Sequence, residues 1–283
     1  MRYIFLSLFI FITLSIQSIG NVYQDARTDS IGNHSGIGYK DVSSIQNNPA
    51  ALPYTRSQLK FTYSNAWETQ NIIGEQAFNF NDTVGIGIRY FQSTVDDIAI
   101  TTREGNTGSF SGQRESLKYA TFSIGGGVSI IKDFLSVGTT LHFDQNKFWT
   151  KNSENIRADT GILLNIGTYV EIAGTLKNIY QKGIIWNTGK EETLPSEQQL
   201  SAGLILNSIG LPNIYGTLLS NSETSYLFGA EWKAGPLVFR SVYDDNFGYG
   251  IGLNLDTLFL DITWVNESEI NETSYKFSVG FLN

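Results

Sequence analysis

The sequence predicts an all-β fold: a transmembrane antiparallel β-barrel of about 14 strands, preceded by an N-terminal segment that does not read as a strand. Three observations predict it. Apolar residues recur at every second position in segment after segment, an export signal stands at the N-terminus, and the links between segments alternate between short and long. The alternation is clearest where Phe247, Tyr249, Ile251, Leu253 and Leu255 are separated by Gly248, Gly250, Gly252, Asn254 and Asp256. A period of two gives a strand one apolar and one polar or small face. In an exported protein, lipid outside and polar atoms inside account for both faces.

The export signal comes first in the chain. Arg2 supplies a positive charge, Tyr3 to Ile16 is almost wholly apolar, and Ser18 and Gly20 are small residues at signal-peptidase spacing. Residues 1–20 therefore read as a cleaved signal peptide, and the apolar run is short of the roughly 20 residues a retained helical anchor needs. Residues 21–57 are polar and carry Gly32, Gly36 and Gly38, and do not read as a strand; residues 58–283 read as the barrel.

The strands follow in order. Outward faces run through Leu59, Phe61 and Tyr63; Phe78 and Phe80; Val84, Ile86, Ile88 and Tyr90; Phe122, Ile124, Val128 and Ile130; and Leu135, Val137, Leu141 and Phe143. The middle of the chain adds Ile162 with Leu164; Val170, Ile172 and Leu176; Leu200, Leu204 and Leu206; and a weakly periodic stretch from Tyr215 to Leu219. The last third supplies Tyr226, Phe228 and Trp232; Phe239 and Tyr243; the glycine-alternating strand; Leu260, Ile262 and Trp264; and Tyr275, Phe277, Val279 and Phe281. An even count suits a single-chain bacterial barrel. A soluble β-sandwich or lipocalin-like barrel also alternates, but such folds rarely need so many strands.

Short links such as Asn81-Asp82, Ile131-Lys132-Asp133, Ala234-Gly235-Pro236 and Asp256-Thr257 alternate with polar stretches read as longer loops: Gln92 to Ser116, Gln145 to Ile156 and Tyr180 to Gln198. Short periplasmic turns and long outer loops place both chain ends in the periplasm. Trp67, Trp149, Trp186, Trp232 and Trp264 fall at or beyond strand ends, where indole rings would form two interfacial girdles.

Composition narrows the function. A net charge of -8 argues against a nucleic-acid partner. Zero cysteines remove disulfides, thiol catalysis and thiolate metal sites. The two histidines, His34 and His142, have no spacing for a metal pair, and the parity of His142 points it into the lumen, away from any lipid-facing catalytic surface. No enzyme, metal or cofactor is expected.

Parity also turns a set of charges inward: Arg89, Asp159, Glu171, Lys177, Glu231, Lys233, Arg240, Asp261 and Lys276. Arg89, Asp159, Glu231, Arg240 and Asp261 are the candidate lumen cluster, with Glu231, Arg240 and Asp261 on closely spaced strands. They read either as an ion-pair network holding the barrel and the N-terminal segment or as a gate or polar ligand contact. Inward glycines such as Gly85, Gly87, Gly125, Gly127, Gly203 and Gly229 leave room for another backbone.

The segment before the first strand contains Asn48-Pro49-Ala50-Ala51-Leu52 after a glycine-bearing stretch with Gly32, Gly36 and Gly38. Pro49 forces Asn48 out of helical geometry, and the two small alanines let the backbone turn against a wall. This resembles the FadL-type outer-membrane proteins, whose N-terminus carries an Asn-Pro-Ala-[Gly/Ala]-Leu motif and folds into the lumen as a hatch; the resemblance implies that residues 21–57 are such a hatch segment inside the lumen. Within that superfamily the chain resembles the PorV/PorQ family. The resemblance is carried by Asp159-Thr-Gly161, Gly174-Thr-Leu-Lys-Asn178, Leu194-Pro195 before Leu200-Ser-Ala-Gly203, Gly229-Ala-Glu231-Trp232, Arg240-Ser-Val-Tyr243, Gly250-Ile-Gly252, Leu260-Asp261 and Tyr275 to Phe281. Asn33-His34-Ser35 departs from the smaller residues usual there. The resemblance implies a non-enzymatic barrel in the outer membrane of a diderm bacterium, in contact with outer-membrane lipid. PorV/PorQ-like proteins act as accessory or scaffold barrels that handle secreted cargo or partner secretion-system proteins. FadL-like relatives instead move a hydrophobic small molecule.

Overall fold

A computed structural model describes residues 24–283 except 39, 67–68, 105–106, 149–150, 187–190, 222–223, 245–246, 268–271 and 283. The signal peptide, Trp67, Trp149 and Asn106 lie outside the described residues. Two short helices, α1 (Ala26–Ile31) and α2 (Ser44–Asn47), and a 3-10 helix (Pro49–Tyr54) precede the first strand.

The strands are β1 (Gln58–Ala66), β2 (Thr69–Phe80), β3 (Val84–Glu104), β4 (Thr107–Ile131), β5 (Leu135–Phe148), β6 (Lys151–Ile166), β7 (Val170–Gln181), β8 (Ile184–Trp186), β9 (Glu191–Glu192), β10 (Glu197–Leu204), β11 (Asn213–Ser220), β12 (Thr224–Ala234), β13 (Leu237–Tyr243), β14 (Phe247–Asn254), β15 (Leu258–Glu267) and β16 (Glu272–Leu282). Strands β1 to β7 and β10 to β16 pair antiparallel with their sequence neighbours, and β1 pairs with β16, as in Gln58 opposite Leu282. The result is a closed ring of 14 staves, which leaves no open edge to satisfy in lipid. β8 and β9 form a small hairpin attached to β6.

The outer face carries the alternating apolar set. Phe61, Ile86, Phe122, Leu141, Ile162, Phe228, Ile251 and Phe277 are exposed, while their sequence neighbours are buried or turned inward. Aromatic rings gather near both rims. Tyr249 packs on Trp264 with ring centroids 6.4 Å apart and on Phe247 at 6.3 Å, and Trp232 stacks on Phe239 at 6.0 Å near the opposite rim.

The tight turns match their chemistry. Asn81 and Asp82 both take φ near +55°, the left-handed geometry of a two-residue hairpin that asparagine and aspartate tolerate. Two readings of the links are corrected. Residues 92–116 are mostly strand, because β3 and β4 continue their ladder from Val84 opposite Val128 to Glu104 opposite Thr107, with irregularities between Val95 and Ile98 and between Ala99 and Thr101. Residues 145–156 likewise continue β5 and β6, from Gln145 opposite Glu154 to Phe148 opposite Lys151. Polar side chains hid both extensions, because beyond the lipid neither face of a strand has to be apolar. At β10 the strand ends at Leu204, and Leu206 instead begins a 3-10 turn, Asn207–Ile209.

Candidate functional site on the inner wall

The N-terminal residues pack against inward-facing side chains around much of the ring. α1 begins at Asp25, whose carboxylate accepts from the backbone amides of Arg27 and Thr28, the usual work of an N-cap aspartate. Wall hydroxyls then bind the segment's backbone. Ser278 of β16 accepts from Ala26 N at 3.1 Å, Thr140 of β5 donates to Ile45 O at 2.8 Å, and Ser136 donates to Ala50 O at 2.6 Å.

The Asn48-Pro49-Ala50-Ala51-Leu52 motif sits where these contacts are densest. Asn48 is extended, at φ -161° and ψ 104°, as the following proline requires. Its side chain caps the 3-10 helix through Ala50 N and donates to Ile162 O of β6 at 3.1 Å. Pro49, Ala50, Ala51 and Leu52 are buried. The inward glycines admit this backbone: a Cβ on Gly138 would lie 2.4 Å from Pro49 C, and one on Gly85 would lie 2.2 Å from Leu52 C. Any side chain at either position would displace the segment.

Charged residues of the segment meet charges of the wall. Lys60 of β1, fully buried, lies 3.2 Å from Asp25, 3.4 Å from Asp41 and 3.3 Å from Glu75 of β2, and it also donates to Ser43 Oγ. Glu75 in turn accepts from Arg89 Nε at 3.0 Å. Arg27 reaches Glu231 at 3.1 Å, Lys276 reaches Asp29 at 3.0 Å and Lys40 reaches Glu171 at 3.1 Å. Buried charges persist only when paired and hydrogen-bonded, and these pairs join two parts of the chain distant in sequence.

Burial pushes the Asp25 carboxyl up, but the Lys60 ammonium and hydrogen bonds from Ser43 and Thr28 outweigh it and hold the group well below the usual carboxylate range. For Asp29 burial wins over Lys276, and its carboxyl is pushed up. Burial drives His34 down to about 3. Its ring bridges Ile31 O at 2.5 Å and Thr217 Oγ1 of β11 at 2.8 Å, and stacks on Tyr215 with centroids 5.2 Å apart.

The five candidate cluster residues divide into three groups. Glu231, Arg240 and Asp261 do meet: Arg240 donates from Nε to Glu231 at 2.9 Å and from Nη1 to Asp261 at 2.6 Å. Arg89 belongs to the Lys60 and Glu75 group. Asp159 belongs to a third group on β4 to β6, where it lies 3.0 Å from His142 Nε2 while Ser123 Oγ lies 2.8 Å from Nδ1. That order of serine, histidine and aspartate superficially matches a nucleophilic triad. Ser123 and His142 have no exposed surface and Asp159 almost none, so a substrate carbonyl does not reach Ser123 in this arrangement, and the three act as a cross-strand brace. Of the other inward charges, Lys177 pairs with Glu197 at 3.3 Å, and Lys233 reaches Glu231 at 3.7 Å from the rim.

Sequence reasoning missed Lys60, Glu75, Asp144 and Arg157, although period-two parity applied to β1, β2, β5 and β6 points all four inward. It also missed Asp25, Arg27, Asp29 and Asp41, whose partners become visible only once the segment is placed.

No family model and no curated protein matches the chain. Solved structures do share its fold. The Pseudomonas putida toluene transporter TodX superposes with a TM-score of 0.62 at 9% identity, over 91% of this chain and 96% of that one. The CymD monoaromatic hydrocarbon channel gives the same values. A Pseudomonas aeruginosa FadL homologue gives a TM-score of 0.54 at 9% identity over 90% and 96%. At such identities the likeness is one of fold: this chain is a closed 14-strand antiparallel β-barrel that shares its fold with these channels.

Proposed function

We propose that this chain is an outer-membrane channel for hydrophobic small molecules, exported by a cleaved signal peptide, with residues 21–57 as a hatch held in the lumen by its ion pairs. The observation that carries the reading is the seating of Asn48 to Leu52 against inward glycines of a barrel that shares its fold with toluene and monoaromatic hydrocarbon channels. Glu231, Arg240, Asp261, Arg89 and Asp159 serve in this reading as wall braces and anchors around the hatch. The reading as a secretion scaffold rests on the resemblance to PorV/PorQ alone, and none of the structural relatives named above is a secretion component.

Uptake of labelled toluene and of a labelled long-chain fatty acid, by cells with and without the gene, tests the proposal. Loss of uptake of either solute on deletion, restored by the wild-type gene, supports a channel. Unchanged uptake of both, together with recovery of secretion-machinery proteins in a pull-down from solubilised outer membrane, would replace it with the scaffold reading.

A further inference from the structure

We propose that the outer wall of β4 to β6 seats the phosphate-bearing headgroup of a membrane lipid between Lys118 and Lys147. The site is external and separate from the inner wall, and it rests only on the chain being a membrane barrel.

The argument starts from the ladder register. Outward positions on β3 to β6 form rows across the wall. The row Tyr90, Phe122, Phe143 and Ile156 is wholly apolar or aromatic, with Phe122 and Phe143 rings 6.5 Å apart. One step along the strands, the row becomes Gln92, Ala120, Gln145 and Glu154. The next row places Lys118 directly opposite Lys147, flanked by Thr94 and Asn152. On β4, residues 120–130 match the roughly 9–11 residues a strand needs to cross the hydrocarbon. The lysines therefore stand at headgroup level, above rings that would line the acyl chains.

Three features make this row a site. Like charges directly opposite on adjacent strands repel, so an unoccupied Lys118 and Lys147 pair destabilises the sheet. Neither lysine has an ion-pair partner among the described residues, in a chain of net charge -8 where the lumen charges are paired. Between the two rows lies a hollow of about 320 Å³, opened by the small side chain of Ala120 and lined by Lys118, Lys147, Gln92, Gln145 and Asn152, with Glu154 at one side. An anion in the hollow relieves the repulsion and accepts from the amides. Its attached acyl chains continue down the aromatic row, which a free ion cannot use.

Full-length protein purified in detergent is titrated with phosphatidylglycerol, phosphatidylcholine and inorganic phosphate, and bound species are read by native mass spectrometry. Two surface lysines favour the anionic lipid by roughly 10- to 30-fold in the concentration giving half occupancy. The double variant K118Q/K147Q should lose that preference, whereas K118R/K147R and K132Q, at the opposite rim, should keep it. Unchanged heat-modifiable gel migration shows that each variant is folded. The proposal is overturned if wild type does not prefer phosphatidylglycerol, if K118Q/K147Q keeps the preference, or if inorganic phosphate displaces the lipid at equal concentration, which would mark a free-phosphate site.

Discussion

Lys60 on β1 and Asp25 at the start of α1 are 35 residues apart in sequence and 3.2 Å apart in space, both buried. The same ammonium serves Asp41 and Glu75, so one side chain ties two points of the N-terminal segment to two adjacent staves. Removing one partner of a buried ion pair costs about 3 to 5 kcal/mol, because the remaining charges are left uncompensated.

Lys60→Met should therefore unseat the segment while the barrel still assembles, since the staves keep their own ladder hydrogen bonds. Planar-bilayer conductance of K60M should rise toward that of a chain lacking residues 24–57. A K60M conductance equal to wild type would show that Lys60 does not anchor the segment.

The parity of β14 gives a second test. Ile251 is exposed on the outer face and Gly252 is buried on the inner one. Ile251→Arg should block assembly, because arginine facing the hydrocarbon costs roughly 2 to 4 kcal/mol. A Cβ at Gly252 would lie 2.4 Å from Asp261 Oδ1 and 2.8 Å from Arg240 Nη1. Gly252→Ser should accordingly insert but melt earlier, with the Arg240 and Asp261 pair displaced. Heat-modifiable gel migration measures both outcomes, and normal assembly of I251R would reverse the faces.

Orientation is the third. Asp133 lies in a tight turn at the rim that holds Gln58 and Leu282, whereas Asn152 lies near the opposite end of the wall. On whole cells an impermeant thiol reagent should label Asn152→Cys and leave Asp133→Cys untouched. The reverse pattern would place both chain ends outside.

Legibility in the sequence followed the number of physical constraints on each residue. β14 was plain because lipid demands apolar residues on one face while the other is crowded, by α1 at Gly250, where a Cβ would lie 2.4 Å from Ser30 Cβ, and by wall side chains at Gly248, where it would lie 2.6 Å from Val242 Cγ1. β11 was faint because its inner face mixes Tyr215, beneath Gly38 and His34, with Asn213 and Thr217, while Gly216 and Ser220 interrupt the outer one, so neither face is uniform. The upper halves of β3 and β4 were unreadable because there the backbone ladder continues without either face having to be apolar, so no period of two marks it. Glu231, Arg240 and Asp261 were found together because β12 to β15 are consecutive hairpins, which fixes their spacing. Lys60 has as its main partners residues whose positions depend on a tertiary placement that periodicity does not encode.

The last prediction follows from His34. Its folded value of about 3 lies below the ordinary 6.5, so between these limits a released segment binds a proton that the seated one does not. The seated form is fully favoured above about pH 6.5 and loses stability as pH falls toward 3, by at most a few kcal/mol. The groups facing the ring are Ile31 O, Thr217 and Tyr215, none of which supplies a carboxylate to stabilise the imidazolium. Asp25 is depressed and affects seating only below the ordinary carboxylate range, while the raised Asp29 favours the seated form as pH falls and so opposes His34. Conductance should consequently rise between pH 6.5 and 4 in wild type and stay flat or fall in His34→Gln, which removes the imidazole's proton uptake while Asp29 still favours the seated form. If H34Q shows the same rise as wild type, the sensitivity lies in another group.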